Sequence, residues 1–403
     1  MSEFDSVIRS ERVVTPVGVG PAAVGIRGGR IETVTDHGAP PAAREHVDLG
    51  EVALLPGCVD VGTGVHVPGR SLEESYQRVS EAALRGGVTT VVASPAPARP
   101  PITCADAFQT HRRAAMGLPV SVFFLGGVTQ GMGPLELADL HAAGVVAFHC
   151  SLSDGGAPDM AALGDAQLRK AMVELAALDA VLLVHTEDAR ELGTPALGAE
   201  QRPPRAERRG LERVIAAARV AGTRTHVNSF TAAECAALLS AAGSVGVELT
   251  AQTCPHYLCL PAEASRSEAH GCRPPLRSEA NRRALWSAFL ARGEASITTI
   301  GSGHLPAHNV YTLDRGLSAL WTAASRRRLG LSDLSRWTST APAELVGLGG
   351  KGRVSEGYDA DLVAFAPEST VEVSEADPSP YAGRSLIGRV ERVWVSGRER
   401  AFG

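Results

Sequence analysis

No stretch of this 403-residue chain reaches the roughly 18 consecutive apolar residues that a membrane helix needs. The opening MSEFDSVIRS lacks a basic segment followed by an apolar one, so no secretory leader is expected and a cytoplasmic location is. Cys58, Cys104, Cys150, Cys235, Cys254, Cys259 and Cys272 are odd in number and never form a CxxC pair, which argues against both a disulfide framework and a thiolate zinc site. A formal net charge of −5 is too small to draw nucleic acid or an anionic membrane surface by electrostatics. Internal repeats beyond a βα alternation and low-complexity linkers are also missing. What is there is 44% hydrophobic and 21% charged, with 43 glycines and 25 prolines, the composition of a turn-rich globular protein whose default partner is a small molecule.

The first fifty residues alternate in short β-type runs such as AAVGIRGGRIETVT, separated by Gly and Pro turns. From about 55 to 345 the pattern becomes short apolar runs alternating with longer stretches of helical period, which is how βα units around a parallel sheet are written. Eight runs qualify as strands: VALLPGCVDV, GVTTVVASP, VSVFFLGG, GVVAFHCSL, AVLLVHTED, THVNSF, VELTAQTCP and ITTIGSGH. Between them, SLEESYQRVSEAALRGG, DAQLRKAMVELAALD and GLERVIAAARVAG carry apolar stripes at i, i+3, i+4 spacing. After residue 350 the β-type alternation returns. The expected architecture is an α/β chain with a (β/α)8 barrel over 55–349 and a small β-sandwich built from both ends, 1–54 and 350–403.

In such a barrel the reactive groups sit at the C-terminal ends of the strands. Those ends carry Asp60 and His66, His149, His185, Ser229, His256 and His304, so five of the twelve histidines fall on one rim. A lone histidine in a strand is usually a satisfied core group, but five on one rim make a cluster worth testing. Cys150 and Cys254 lie nearby without a clear basic partner, which favours buried thiols over nucleophiles. His226 is expected to face a helix.

The motifs LPGCVDV (55–61), GGVTTVV (86–92), HAAGVVAF (141–148), VHTED (184–188), TCPHYL (253–258), CRPPLRSEANRRALW (272–286) and GRVSEGYDADLVAFAP (352–367) run nearly the length of the chain. On them it closely resembles the allantoinase-like members of the cyclic amidases, the amidohydrolase branch that also holds dihydroorotases and hydantoinases. The resemblance implies a TIM barrel, a terminal β-sandwich and a homo-oligomer. It also implies two divalent metals held by an HxH pair, a carboxylated lysine, two histidines and an aspartate. At those positions stand Gly62 and Gly64, His149, His185, Ser229 and Gly303, so His185 alone is kept. Glycine offers no donor, serine is a poor zinc ligand, and histidine cannot be carboxylated; the strand-8 position loses the general base as well.

Two readings stay open. In one, the chain is a pseudoenzyme that binds a small cyclic amide- or ureide-like ligand, or a protein partner such as an active paralogue, in a pocket made by Gly62, Gly64, Ser229, His256, Arg277 and Gly303. In the other, it is a repurposed enzyme that opens or closes a cyclic amide-like C–N bond with His185, His149, His66, Asp60 and His304 as acid–base groups, oriented by Glu187 or Asp188. No cofactor is expected, with a single zinc on His66, His149 and His185 as the weaker alternative. Four small residues at the mouth should leave a void or a widened polar pocket. The segment HLPAHNVYTLDRGLSALW (304–321) is expected to pass into an amphipathic helix, and Arg277 to form a salt bridge or bind an anion.

Overall fold

The structure, a computed structural model, describes residues 3–154, 160–193, 200–264, 271–291 and 297–401. Eight parallel strands follow one another around the barrel in chain order: β6 (Cys58–Thr63), β7 (Val88–Ala93), β8 (Ser121–Gly127), β9 (Ala147–Ser151), β10 (Leu182–His185), β11 (Thr225–Asn228), β12 (Leu249–Thr253) and β13 (Ile297–Ile300). Five strands precede them, β1 (Phe4–Thr15), β2 (Gly18–Arg27), β3 (Arg30–Thr35), β4 (Ala43–Asp48) and β5 (Ala53–Pro56). Three follow, β14 (Leu362–Glu372), β15 (Ser385–Val395) and β16 (Arg398–Arg400). Those eight form the second sheet, in which β5 pairs antiparallel with β14 and so joins the two chain ends.

The run VALLPGCVDV is therefore not one barrel strand, as its apolarity predicts, but two. Ala53–Pro56 belongs to the terminal sheet and Cys58–Thr63 to the barrel. Gly57 makes the switch, since a Cβ there would meet the Thr89 side chain at 2.1 Å. Continuous apolar strands such as VTTVVA, buried at every position, are what a sheet covered on both faces requires.

Helix signals act where the sequence places them. Ser71 and Glu74 form a capping box at the start of Leu72–Arg85, and Gly222, at φ +68, ends Pro204–Ala221. The helix Gly316–Ser325 departs from expectation. It is buried from Gly316 through Ala324, not amphipathic, because it is wedged against β15 and the short helix Pro255–Cys259.

The barrel interior is stratified. Val59, Val61, Val92, Leu125, Ala147 and Leu183 fill the bottom together with Ala343 and Val346. Above them, on β11 to β13, the interior is polar. His226 points into the barrel instead of toward a helix, with its ring nitrogens 2.7 Å from Thr250 Oγ1 and 3.2 Å from Thr299 Oγ1. Among the described residues no helix is long and apolar enough to cross a membrane.

Candidate functional site at the barrel mouth

Parallel register sets the side chains at the mouth. His185 pairs across the sheet with Ser151 on one side and Asn228 on the other, and His149 lies one layer deeper on β9. His149, His185, Asn228, Ser229, Gln252, His256 and His304 surround a space of about 100 Å3, open toward solvent between the βα loops. An enclosed apolar cavity of about 150 Å3 holds a benzene ring, so this space suits a small ligand.

The β10 side is rich in compensated charge. Glu187 is buried, accepts a hydrogen bond from His185 Nε2 at 2.9 Å and is gripped by the Arg202 guanidinium. Burial pushes its carboxyl up, but the hydrogen bond and charge of His185 and the charge of Arg202 outweigh that and hold it below the usual range. Gly210 makes this possible: a Cβ there would sit 1.6 Å from the Thr186 carbonyl, so only glycine lets helix Pro204–Ala221 lie against the end of β10. The same helix supplies buried Glu207, which accepts from Thr231 N, Ala232 N and the Thr231 hydroxyl, and pairs with Arg277 at 2.6 Å.

Arg277 is thereby removed from the pocket. Its remaining nitrogens donate to the Arg202 carbonyl and the Thr231 hydroxyl, and it does not line the space. The salt bridge is the outcome, not an anion site.

The β6 and β13 side is built differently. Asp60 points away from the pocket, its carboxylate accepting from Thr63 Oγ1 at 2.6 Å and from the Ser302 backbone and hydroxyl. Burial raises its pKa, opposed by those hydrogen bonds. Asp60 thus ties the last barrel strand to the first and is not available as an acid–base group at the mouth. His66 does not line the pocket either; it stands half-buried, with its pKa lowered by burial and by the charge of Arg99. His66 is thus not brought to His149 and His185. Among the described residues no three His, Cys, Asp or Glu side chains lie together so as to hold a metal ion.

Of the imidazoles that do meet, His149 and His304 are neutral. Burial pushes His149 down to about 3, with the nearby His185 adding to the effect, and its Nδ1 has no hydrogen-bond partner. His304 is likewise pushed down to about 3 by burial; its Nδ1 accepts from Thr312 N at 3.1 Å, which leaves the proton on Nε2. His256 packs on Tyr257 with ring centroids 4.1 Å apart.

Of the four small residues, Gly62, Ser229 and Gly303 line the polar pocket, and only Gly64 opens no space there. A Cβ on Gly64 would stand 2.8 Å from the His304 carbonyl, to which Gly64 N already donates, and 2.9 Å from Leu305 Cδ1. Gly64 is therefore sealed off from the pocket. Gly303, at φ +65, would place a Cβ 2.5 Å from His256 Cε1 and 2.8 Å from Cys254 Sγ. Gly62, at φ +86, faces the amide of Asn228, whose oxygen is held by Gln252 Nε2 at 3.1 Å. Ser229 is held at φ +60, a strained conformation for serine at the pocket edge. The donors present do not fit two metals: of the positions where the resemblance implies ligands, Gly64 is sealed off, and of the five that line the pocket, Gly62, Ser229 and Gly303 offer no carboxylate or imidazole beside His149 and His185.

Asn228, Gln252, Arg202 and Arg273 line this space and are missed by a reading of strand-end histidines. Asn228 carries a faint signal, its spacing of two from the inward-facing His226. Arg202 and Arg273 lie in proline-rich loops, where periodicity says nothing.

The Amidohydrolase family profile matches residues 44–400. An allantoinase of Streptomyces avermitilis is 35% identical over 428 residues, covering 98% of this chain and 95% of its own. An allantoinase of Rubrobacter xylanophilus is 32% identical, covering 99% and 94%. Among solved structures, an L-hydantoinase (dihydropyrimidinase) from Arthrobacter aurescens superposes with a TM-score of 0.89 at 25% identity, covering 98% of this chain and 96% of its own.

Proposed function

The chain belongs to the amidohydrolase family as an allantoinase-like cyclic amidase, and from that premise we propose that it binds a small amide- or ureide-type ligand without hydrolysing it through a binuclear metal centre. The carrying observation is the closure of the mouth at Gly64 and Gly303, where backbone and neighbouring side chains occupy the volume a histidine or aspartate would need. A water activated by metal is the first requirement of that hydrolysis, and among the described residues no three His, Cys, Asp or Glu side chains lie together to hold the metal. Neutral His149, Asn228 and Gln252 offer hydrogen bonds of both senses, as an amide ligand requires.

A second reading rests on the His185–Glu187 contact of 2.9 Å, which is the geometry of a base oriented by a carboxylate. With His149 and His304 on the same rim it supports metal-independent opening or closure of a cyclic amide.

Purified protein incubated with allantoin or hydantoin, with and without added zinc, separates the readings. We expect ligand-dependent thermal stabilisation, no turnover above buffer, and less than about a tenth of an equivalent of bound metal. Zinc-dependent hydrolysis would overturn the proposal, and metal-free hydrolysis abolished by His185→Ala would establish the second reading instead.

A further inference from the structure

The segment CRPPLR holds two arginines four positions apart with opposite fates. Arg277 is saturated by Glu207, Thr231 and the Arg202 carbonyl. Arg273 lines the mouth pocket, half-buried, and forms no hydrogen bond or salt bridge with any described residue.

The charges around it are already committed. Glu187 is held by Arg202 and His185, and Glu207 by Arg277. Asp154, at the exposed rim, acts on Arg273 through space without reaching ion-pair distance. His308 also lines the pocket within the electrostatic reach of Arg273; its buried Nδ1 has no hydrogen-bond partner. The pocket thus carries a guanidinium without a close counter-ion beside a neutral imidazole held to the Gly271 backbone, while its inner wall is neutral: Asn228, Gln252 and Ser151. A half-desolvated cation in this position is complemented by a ligand bearing one negative charge.

We propose that Arg273 forms an anion-binding end of the pocket, beside the neutral His308, that takes the carboxylate of a small ligand, whose neutral amide or urea group lies toward Asn228. The proposal rests on the ligand-binding reading above and names the ligand class. Guanidinium geometry matches a planar carboxylate through two parallel hydrogen bonds. A phosphate dianion would carry a second charge with no second free cation among the described lining residues, and Asp154 at the rim would oppose it.

Isothermal titration of the intact protein with ureidoacetate, with its uncharged analogue ureidoacetamide, and with inorganic phosphate tests this. Ureidoacetate is expected to bind about tenfold or more tightly than ureidoacetamide. Arg273→Gln should erase that preference. Asp154→Asn, which removes the opposing charge at the rim, should strengthen ureidoacetate binding about two- to threefold, and this arm stands if the Arg273 variant fails to fold. Equal affinity for acid and amide in the unsubstituted protein overturns the anion site while leaving the ligand-binding reading intact. Phosphate displacing ureidoacetate at equal concentration overturns the carboxylate assignment. Binding of none of the three overturns the anion site, and zinc-dependent hydrolysis of hydantoin in the same preparation brings down the ligand-binding reading with it.

Discussion

The two sides of the barrel mouth solve the same local problem in opposite ways. On the β10 and β11 side, buried charges are kept and cancelled in pairs, Glu187 with Arg202 and Glu207 with Arg277, and glycine at 210 serves only to let a helix approach. On the β6 and β13 side, the charge of Asp60 is turned away from the pocket, Gly64 lets backbone close in, and Gly62 and Gly303 line the space without side chains. The difference teaches that one side of a barrel mouth can hold buried ion pairs while the other is lined by glycine and neutral side chains. The ion pairs are held by helix packing that does not depend on what the pocket does.

The contrast breaks first at its strongest pair. Arg277→Met leaves Glu207 as an uncompensated buried carboxylate and should cost about 3–5 kcal/mol in urea unfolding; a loss under about 1 kcal/mol would show that the pair is not what holds that side. Next is the closed side. Gly303→Asp adds a side chain at positive φ against His256 and Cys254, and about 2–4 kcal/mol of lost stability is expected from strain and overpacking together. If that variant is as stable as the parent and binds zinc, the mouth is not closed.

A pH series sharpens the picture of the polar interior. Burial pushes the folded-state pKa of His226 down to about 3, so its contribution is fully present above the unfolded value near 6.5 and is lost as pH falls from there toward 3. Between pH 6.5 and 5 that is roughly 2 kcal/mol for this imidazole, and His226→Gln should flatten the stability profile by about that amount. The smallest effect belongs to Gly62→Ala, where φ +86 is unfavourable but the nearest atom, Asn228 Nδ2, lies 3.3 Å from the new Cβ; about 1 kcal/mol is expected by thermal melting.

Much of the barrel was legible before the structure. Seven of the eight strand runs each contain one barrel strand, and the eighth was misjudged because VALLPG and CVDV are equally apolar although Gly57 turns the chain between two sheets. The site was legible only in outline. His149, His185 and His304 do converge, as strand-end position implies, whereas Asp60 and His66 do not. Asp60 sits one residue out of phase with Val59 and Val61, which face the interior, so alternation already placed it elsewhere. His66 lies beyond the end of β6, where alternation no longer fixes direction. Arg277 and Arg273 are indistinguishable as residue types in a proline-rich loop; what separates them is the long-range arrival of Glu207 at one and of nothing comparable at the other.

By itself the sequence determined the alternation of strand and helix, the rim on which polar groups collect, the family, and the absence of side-chain donors at positions 62, 64 and 303, because these follow from residue type and spacing along the chain. Tertiary structure alone decided which charges cancel, that Gly64 is closed off while Gly62 and Gly303 line the pocket, and that Arg273 faces a small pocket without a close counter-ion. Those properties depend on distances between segments tens to hundreds of residues apart, and electrostatics and packing act through space, where local pattern has no reach.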